Sequence, residues 1–169
     1  REQFVLHQSK GIKPSEPDNG EAYRWNWDSP LIVSPHASST IYFAANKVFK
    51  STNKGDSWKV ISPDLSRQLN RNELKVMGKI QTPEAVAKNS STSVYGNLVA
   101  LSESPKKAGL LYAGSDDGLI SITEDDGNTW RKVDGINGIP KLAYVTDLYA
   151  SQHDENIVYA SFENHKDND

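Results

Sequence analysis

The chain has 169 residues, one domain's worth, and sets 19 basic against 22 acidic side chains, which argues against the basic stripe of a phosphate-backbone binder and so against a nucleic-acid partner. Only 36% of the residues are apolar and none is cysteine, so the core is thin, and disulfide scaffolds and thiolate metal sites are excluded. No apolar run approaches the ~18 residues of a membrane span, and no secretory leader is visible in a chain whose first residue is Arg1.

Residues 1–21 differ in texture from the rest of the chain. Phe4-Val5-Leu6 suits a strand belonging to a preceding repeat, and Ser15, Pro17, Asp18, Asn19 and Gly20 cluster as a linker. Beyond the linker the chain repeats itself. Ser34-Pro-His-Ala-Ser-Ser-Thr-Ile-Tyr-Phe-Ala44 aligns without gaps to Ser104-Pro-Lys-Lys-Ala-Gly-Leu-Leu-Tyr-Ala-Gly114, and both align to Ser151-Gln-His-Asp-Glu-Asn-Ile-Val-Tyr-Ala-Ser161. Each copy places a Tyr (Tyr42, Tyr112, Tyr159) eight residues after its Ser, and an apolar run precedes each copy. Strands are predicted over 30–34, 40–45, 47–51 and 57–61 in the first copy and over 95–101, 110–114, 118–123 and 129–133 in the second. The third copy gives strands over 144–150 and 157–162.

Four short strands per copy, joined by tight turns, predict an antiparallel meander. The 47 residues from Ser104 to Ser151 match the ~40–50-residue period of propeller blades. The expected fold is therefore all-β: a partial β-propeller of about two and a half four-stranded antiparallel blades. Blade one spans 22–93, blade two 94–139, and an incomplete blade three 140–169. The 70 residues from Ser34 to Ser104 leave a polar insertion of about 23 residues within 62–93, whose stretch 64–77 reads as a helical turn or a loop. The second copy has two extra residues at Ser115-Asp116-Asp117-Gly118, a tight hairpin.

After the Tyr, two copies continue alike, through Ser51-Thr-Asn53-Lys-Gly55-Asp-Ser57-Trp58 and Thr123-Glu-Asp125-Asp-Gly127-Asn-Thr129-Trp130. The Asn or Asp accepts hydrogen bonds from its own turn, the Gly takes a left-handed conformation, and the Trp opens the outer strand and buries its ring on a neighbouring blade. These are fold-making roles, and they outweigh a catalytic role for Asp125. The pattern resembles the Asp-box of the BNR repeat family, with Asn53 where Asp is usual. Arg24-Trp-Asn-Trp-Asp-Ser-Pro30, Ser62-Pro-Asp-Leu65, Ser102-Glu-Ser-Pro105 and Gly114-Ser-Asp-Asp-Gly118 resemble bacterial sortilin-like and xyloglucanase-like propeller proteins, over roughly 22–169. The resemblance implies an extracellular or periplasmic protein whose remaining blades are its nearest partners. It leaves open an interaction or ligand-binding scaffold, an assembly factor, and part of a glycoside hydrolase whose second carboxylate lies elsewhere.

The chemistry-bearing residues are few. Asp116 and Asp117 read as a solvated hairpin, and Asp147 interrupts an apolar inner strand. Trp25 and Trp27 alternate on one strand face, where core packing outweighs sugar stacking. His7, His36, His153 and His165 lack metal-ligand spacing, and the oxygen-rich tail 163–169 reads as a solvated loop. No cofactor fingerprint is present. In a four-stranded meander, the loops before the inner strands and the turns between strands two and three share one end. That end is expected to gather Trp25, Asp28, Asn46, Val94, Tyr95, Asp116, Asp117, Tyr144 and the 163–167 stretch, with Trp27, Asp147 and His165 as further candidate binding residues. Such a rim of acids and aromatics suits a carbohydrate or a peptide, and any ligand is expected there. An apolar blade face is also expected to lie open, so the chain alone should associate or bind dyes.

Overall fold

The computed structural model describes residues 11–76, 78–85 and 95–164. Strands β1 (Leu31–Val33), β2 (Ile41–Ala44), β3 (Val48–Ser51) and β4 (Lys59–Val60) form one antiparallel sheet in chain order. In the insertion, β5 (Lys75–Val76) and β6 (Lys79–Ile80) make a two-residue hairpin. Strands β7 (Leu98–Glu103), β8 (Leu111–Ser115), β9 (Ile120–Thr123) and β10 (Arg131–Val133) repeat the meander, and β11 (Tyr144–Ala150) pairs with β12 (Val158–Glu163). The fold is all-β, a partial propeller of about two and a half blades. The insertion also holds one turn of 3-10 helix at Arg71–Glu73, capped by Asn70, whose side chain accepts from the Asn72 N–H. It is thus a turn followed by a hairpin, both short because this polar segment has little apolar surface to bury.

The sheets stack face to face through two apolar seams. The first joins Tyr42, Ala44, Val48, Ile61 and Leu65 of blade one to Leu98, Leu101, Leu111 and Ala113 of blade two. The second joins Ala100, Tyr112, Ile120 and Ile122 of blade two to Val145, Leu148 and Ala150 of blade three. Blade two is buried on both faces, so every residue of β8 and β9 is buried, the polar Ser115, Ser121 and Thr123 included. Each large aliphatic side chain so buried contributes about 1.5–3 kcal/mol. Gly114 sits where a Cβ would come within 2.5 Å of Val145 Cγ1, so a glycine there permits the second seam to close.

Two strand predictions shift. The inner strand expected over 95–101 is β7 at 98–103, because Gly96 takes φ 92° and Asn97 turns with it, both fastened by a side chain described below. The outer strands are short because Trp58 and Trp130 lie before the ladder. The expectation that Trp25 and Trp27 alternate on a strand fails: both precede β1, and Trp27 lies in a turn. Trp25 stacks on Phe49 (5.5 Å, 14°) and packs against Phe43, while Trp27 is 79% exposed.

Candidate functional site: the rim end of the sheets

The sheets have two ends with different chemistry. At one end lie the turns 51–58 and 123–130. Asn53 Oδ1 accepts from the Ser57 N–H at 3.0 Å, and Asp125 Oδ1 accepts from the Thr129 N–H at 2.8 Å. Ser51 and Thr123 hydroxyls accept from the Gly55 and Gly127 N–H groups at 2.8 and 2.9 Å. Lys54 and Asp126 take φ 57° and 58°, and the glycines after them take 88° and 91°. Trp130 Nε1 donates to Ile61 O across the seam at 2.9 Å, and Trp58 Nε1 donates to Ile12 O at 2.6 Å. A Cβ on Gly127 would fall 2.5 Å from Ile61 O, and one on Gly55 would fall 2.7 Å from Ile12 Cβ. Ile12 therefore stands to blade one as Ile61 stands to blade two. The shared triplets Ile12-Lys-Pro14 and Ile61-Ser-Pro63 carry that equivalence in the sequence.

At the opposite end, the rim, the hydrogen bonds join segments far apart in the chain. Asp116 Oδ1 accepts from the Gly96 and Asn97 N–H groups at 3.0 and 2.9 Å. Asn46, its counterpart in blade one, accepts from the Arg24 N–H at 3.0 Å. Each residue thus pins the segment that leads into an inner strand. Asp117 Oδ2 accepts from the Arg67 N–H at 2.7 Å, and its Oδ1 accepts from Ser115 Oγ. The expectation of a solvated hairpin is overturned: Asp116 is 5% exposed and Asp117 fully buried, because the backbone donors of neighbouring loops replace water around both carboxylates.

Two arginines that the sequence did not single out complete the framework. Arg24 Nη2 donates to Asp64 at 2.6 Å and to Ser66 Oγ at 2.9 Å, and its Nε donates to Gly96 O at 3.1 Å. Burial pushes the Asp64 carboxyl up, but hydrogen bonds from Asn46, Ser66 and Arg24 outweigh it and hold the group below the usual carboxylate range. Arg67 grips Asp134 with both terminal nitrogens, at 2.8 and 2.6 Å, and thereby holds that carboxyl low as well. Nothing in a single copy of the repeat signals Arg67, because it lies in the insertion.

On this framework sits an open cleft of about 820 Å³, walled by Tyr23, Lys47, Gln68, Arg71, Asn72 and Tyr95 among others. Burial, then the carboxylates of Asp117 and Asp116, pushes the Tyr95 phenol well above its ordinary value. Tyr144, half-buried at the start of β11, is likewise raised by burial and by the fields of Asp116, Asp28 and Glu163. At the rim, Asn46, Asp116 and Asp117 thus hold the loops, with Tyr95 and Tyr144 in the field of Asp116. Asp147 is apart from them: it is exposed on β11 after a bulge, and its carboxylate accepts from the Leu148 N–H at 2.8 Å. His165 lies outside the described residues, as do His7, Val94, the 4–6 run and the 165–169 tail. Among the described residues, no group of three or more His, Cys, Asp or Glu converges to hold a metal, and no helix is long and apolar enough to cross a membrane.

No family profile matches the chain, and no curated protein does. Among solved structures it is similar to an ancestral GH74 enzyme, with 17% identity over 81% of this chain and a TM-score of 0.47. The chain spans 17% of the length of that protein.

Proposed function

We propose that the chain is a ligand-binding scaffold of an exported propeller protein, built on Asp-box turns, with further blades as neighbours and no catalytic activity of its own. The ligand, a carbohydrate or a peptide, docks at the rim. One observation carries this reading: the rim holds a cleft of about 820 Å³ walled by tyrosines, amides and cations, above a floor whose hydrogen bonds are already made within the protein. Side-chain amides donate and accept at once, as sugar hydroxyls and peptide groups do, and rigid scaffolds concentrate binding residues on such loops. Placement outside the cytoplasm rests on the resemblance of the repeats to exported proteins. The rim's role shifts in one respect from the sequence expectation: Asp116 and Asp117 hold the loops, and the cleft side chains face the ligand.

Calorimetric titration with xyloglucan oligosaccharides and with a lysine-rich peptide tests the proposal. Lys47→Ala combined with Asn72→Ala is expected to weaken binding about tenfold, and Asn53→Ala at the other end is expected to leave it unchanged. Equal loss in both variants, or heat from neither probe, refutes the rim as the docking end. A second reading, part of a glycoside hydrolase, draws on the exposed carboxylate of Asp147 beside the β11 bulge. It requires a second carboxylate within about 5–10 Å. Release of reducing sugar that disappears in Asp147→Asn would favour it.

A further inference from the structure

Arg67 ties four separate segments together. Its N–H donates to Asp117 Oδ2 and its Nε to Asp117 O, both at 2.7 Å. Its terminal nitrogens grip Asp134, just after β10, and Nη2 also donates to Lys141 O at 3.0 Å. The insertion, the turn between β8 and β9, the end of β10 and the turn 140–143 therefore meet around one guanidinium. Gly118 permits this meeting: it takes φ 82°, and a Cβ there would strike Lys141 O. Leu119, the next residue, is fixed by Ser115, whose Oγ accepts from the Leu119 N–H at 3.0 Å and whose N–H donates to Leu119 O at 3.0 Å. Around the arginine runs a groove of about 560 Å³. Its walls are aliphatic: Leu69 and Leu74 from the insertion, Leu119 from the β8–β9 turn and Leu142 from the turn 140–143. Leu119 is buried, but Leu69 and Leu142 remain 36% and 37% exposed. Arg67, Lys132 and Lys141 set three cations on the groove against one lining acid, Asp134, which Arg67 already holds. Counting Asp117 behind Arg67 still leaves the cations in excess, in a chain whose net charge is -3.

We infer that this groove is a second docking surface, and that its occupant is a short acidic peptide segment carrying aliphatic side chains between its carboxylates. The inference is independent of the rim ligand, since Leu69 is the one wall the groove shares with the rim cleft. The leucines accept aliphatic side chains, and Lys132 and Lys141 meet the carboxylates. Lys132 is held only by a carbonyl, Ser66 O at 3.2 Å, so its charge is not neutralised by that bond. It belongs to β10, the edge strand of its sheet, where an extended peptide finds backbone partners as well. A saccharide fits poorly: no aromatic ring and no side-chain amide lines the groove, and sugar hydroxyls would lie against leucine methyls. A bilayer fits poorly too. Leu119 is recessed at 3% exposure, and the one helix among the described residues is the single turn Arg71–Glu73, which offers no amphipathic face to lay on lipid. The hydrogen bonds of Arg67 fix all four walls beforehand, so little ordering opposes binding.

The probes are immobilised peptides of mixed leucine and glutamate, with matched sets in which lysine replaces glutamate or serine replaces leucine. The whole chain is expected to be retained on the first set and on neither of the others. Fluorescence anisotropy with the best-retained leucine–glutamate peptide then reads the variants. Leu142→Asp is expected to weaken binding at least about tenfold, because it removes an apolar contact and sets a carboxylate against those of the peptide. Lys132→Ala combined with Lys141→Ala is expected to weaken it about fivefold and to flatten its salt dependence. All three side chains are exposed, so the melting midpoints should hold. Lys47→Ala with Asn72→Ala, at the rim, should leave this binding unchanged, which separates the groove from the rim cleft. Retention on no set, or equal retention on the lysine or serine set, overturns the inference, as does undiminished affinity in Leu142→Asp. If the chain instead binds vesicles of anionic phospholipid and no peptide, the groove is a membrane surface and the inference fails. If Leu142→Asp dissociates an oligomer in sedimentation, the occupant is a second copy and the inference fails likewise.

Discussion

The two ends of the sheets are built from the same repeats in opposite ways. At the Trp-turn end, equivalent residues do equivalent work twice: Asn53 and Asp125 close the turns, Gly55 and Gly127 admit Ile12 and Ile61, and Trp58 and Trp130 bond the carbonyls of those same residues. At the rim only one pair, Asn46 and Asp116, keeps a common role, and everything around it differs between copies. Arg24, Arg67 and Asp134 appear once each, and the insertion supplies Asp64 to Arg24 and Arg67 to Asp134. Repetition therefore marks what the fold requires. Departure from it marks where the chain is free to acquire a ligand site, and the cleft lies there.

The largest way to test this contrast is Trp130→Ala. The ring packs on the first seam and its Nε1 is bonded across it, so truncation is expected to cost about 3 kcal/mol, read as a lower urea midpoint. Trp58→Ala removes the same residue from the same turn but unseats only the 12–25 segment, so about 2 kcal/mol is expected. Equal losses would mean that the 12–25 segment packs as firmly as a blade. Next comes Asp116→Ala, which strips the acceptor from two buried backbone donors and is expected to cost about 1–2 kcal/mol. Asp116→Asn keeps an acceptor oxygen and should recover part of that loss. An unchanged midpoint for Asp116→Ala would show that the loop into β7 holds itself without the carboxylate.

The sequence made the meander legible because its strands are short, its turns are marked by Gly and Asp, and its copies align without gaps. Tyr42, Tyr112 and Tyr159 recur eight residues after the repeated Ser, and in the structure each pairs with a residue of its inner strand. What stayed hidden was the state of the rim carboxylates. Asp-Asp-Gly reads as a solvated hairpin because turn chemistry is local, whereas the burial of Asp116 and Asp117 depends on donors about 20 and 50 residues away. Trp25 and Trp27 misled for a related reason. A two-residue alternation suggests a strand, but neither residue lies in one, and stacking on Phe49 sets the place of Trp25. The Ile-x-Pro equivalence was visible but too short to stand out.

The smallest expected effect separates the two Trp turns from each other. Hydrogen bonds from Thr129 Oγ1, then from its N–H, then from Thr123 hold the Asp125 carboxyl below the usual Asp range. A carboxyl with a lower value in the folded than in the unfolded state binds fewer protons when folded. Its contribution to stability is present above the unfolded value and fades as pH falls below about 4 and passes through the folded value. Asn53 closes an equivalent turn with an amide, Ser51 Oγ donating to its Oδ1 and its Nδ2 donating to Ser57 Oγ at 2.9 Å, and an amide does not titrate. Turn two should therefore weaken in acid while turn one does not. Asp64 and Asp134 lose stability in the same range, so the chain as a whole is expected to soften there, and only differences between variants isolate the turn. In urea titrations at pH 7 and pH 3, Asp125→Asn should narrow the gap between the two midpoints and Asn53→Asp should widen it. Because Asp125 is solvent-exposed, added salt should shrink both changes. If Asp125→Asn leaves the gap as wide as in the original chain, the carboxylate's charge adds nothing that an amide does not, and the two turns are equivalent in energy as well as in shape.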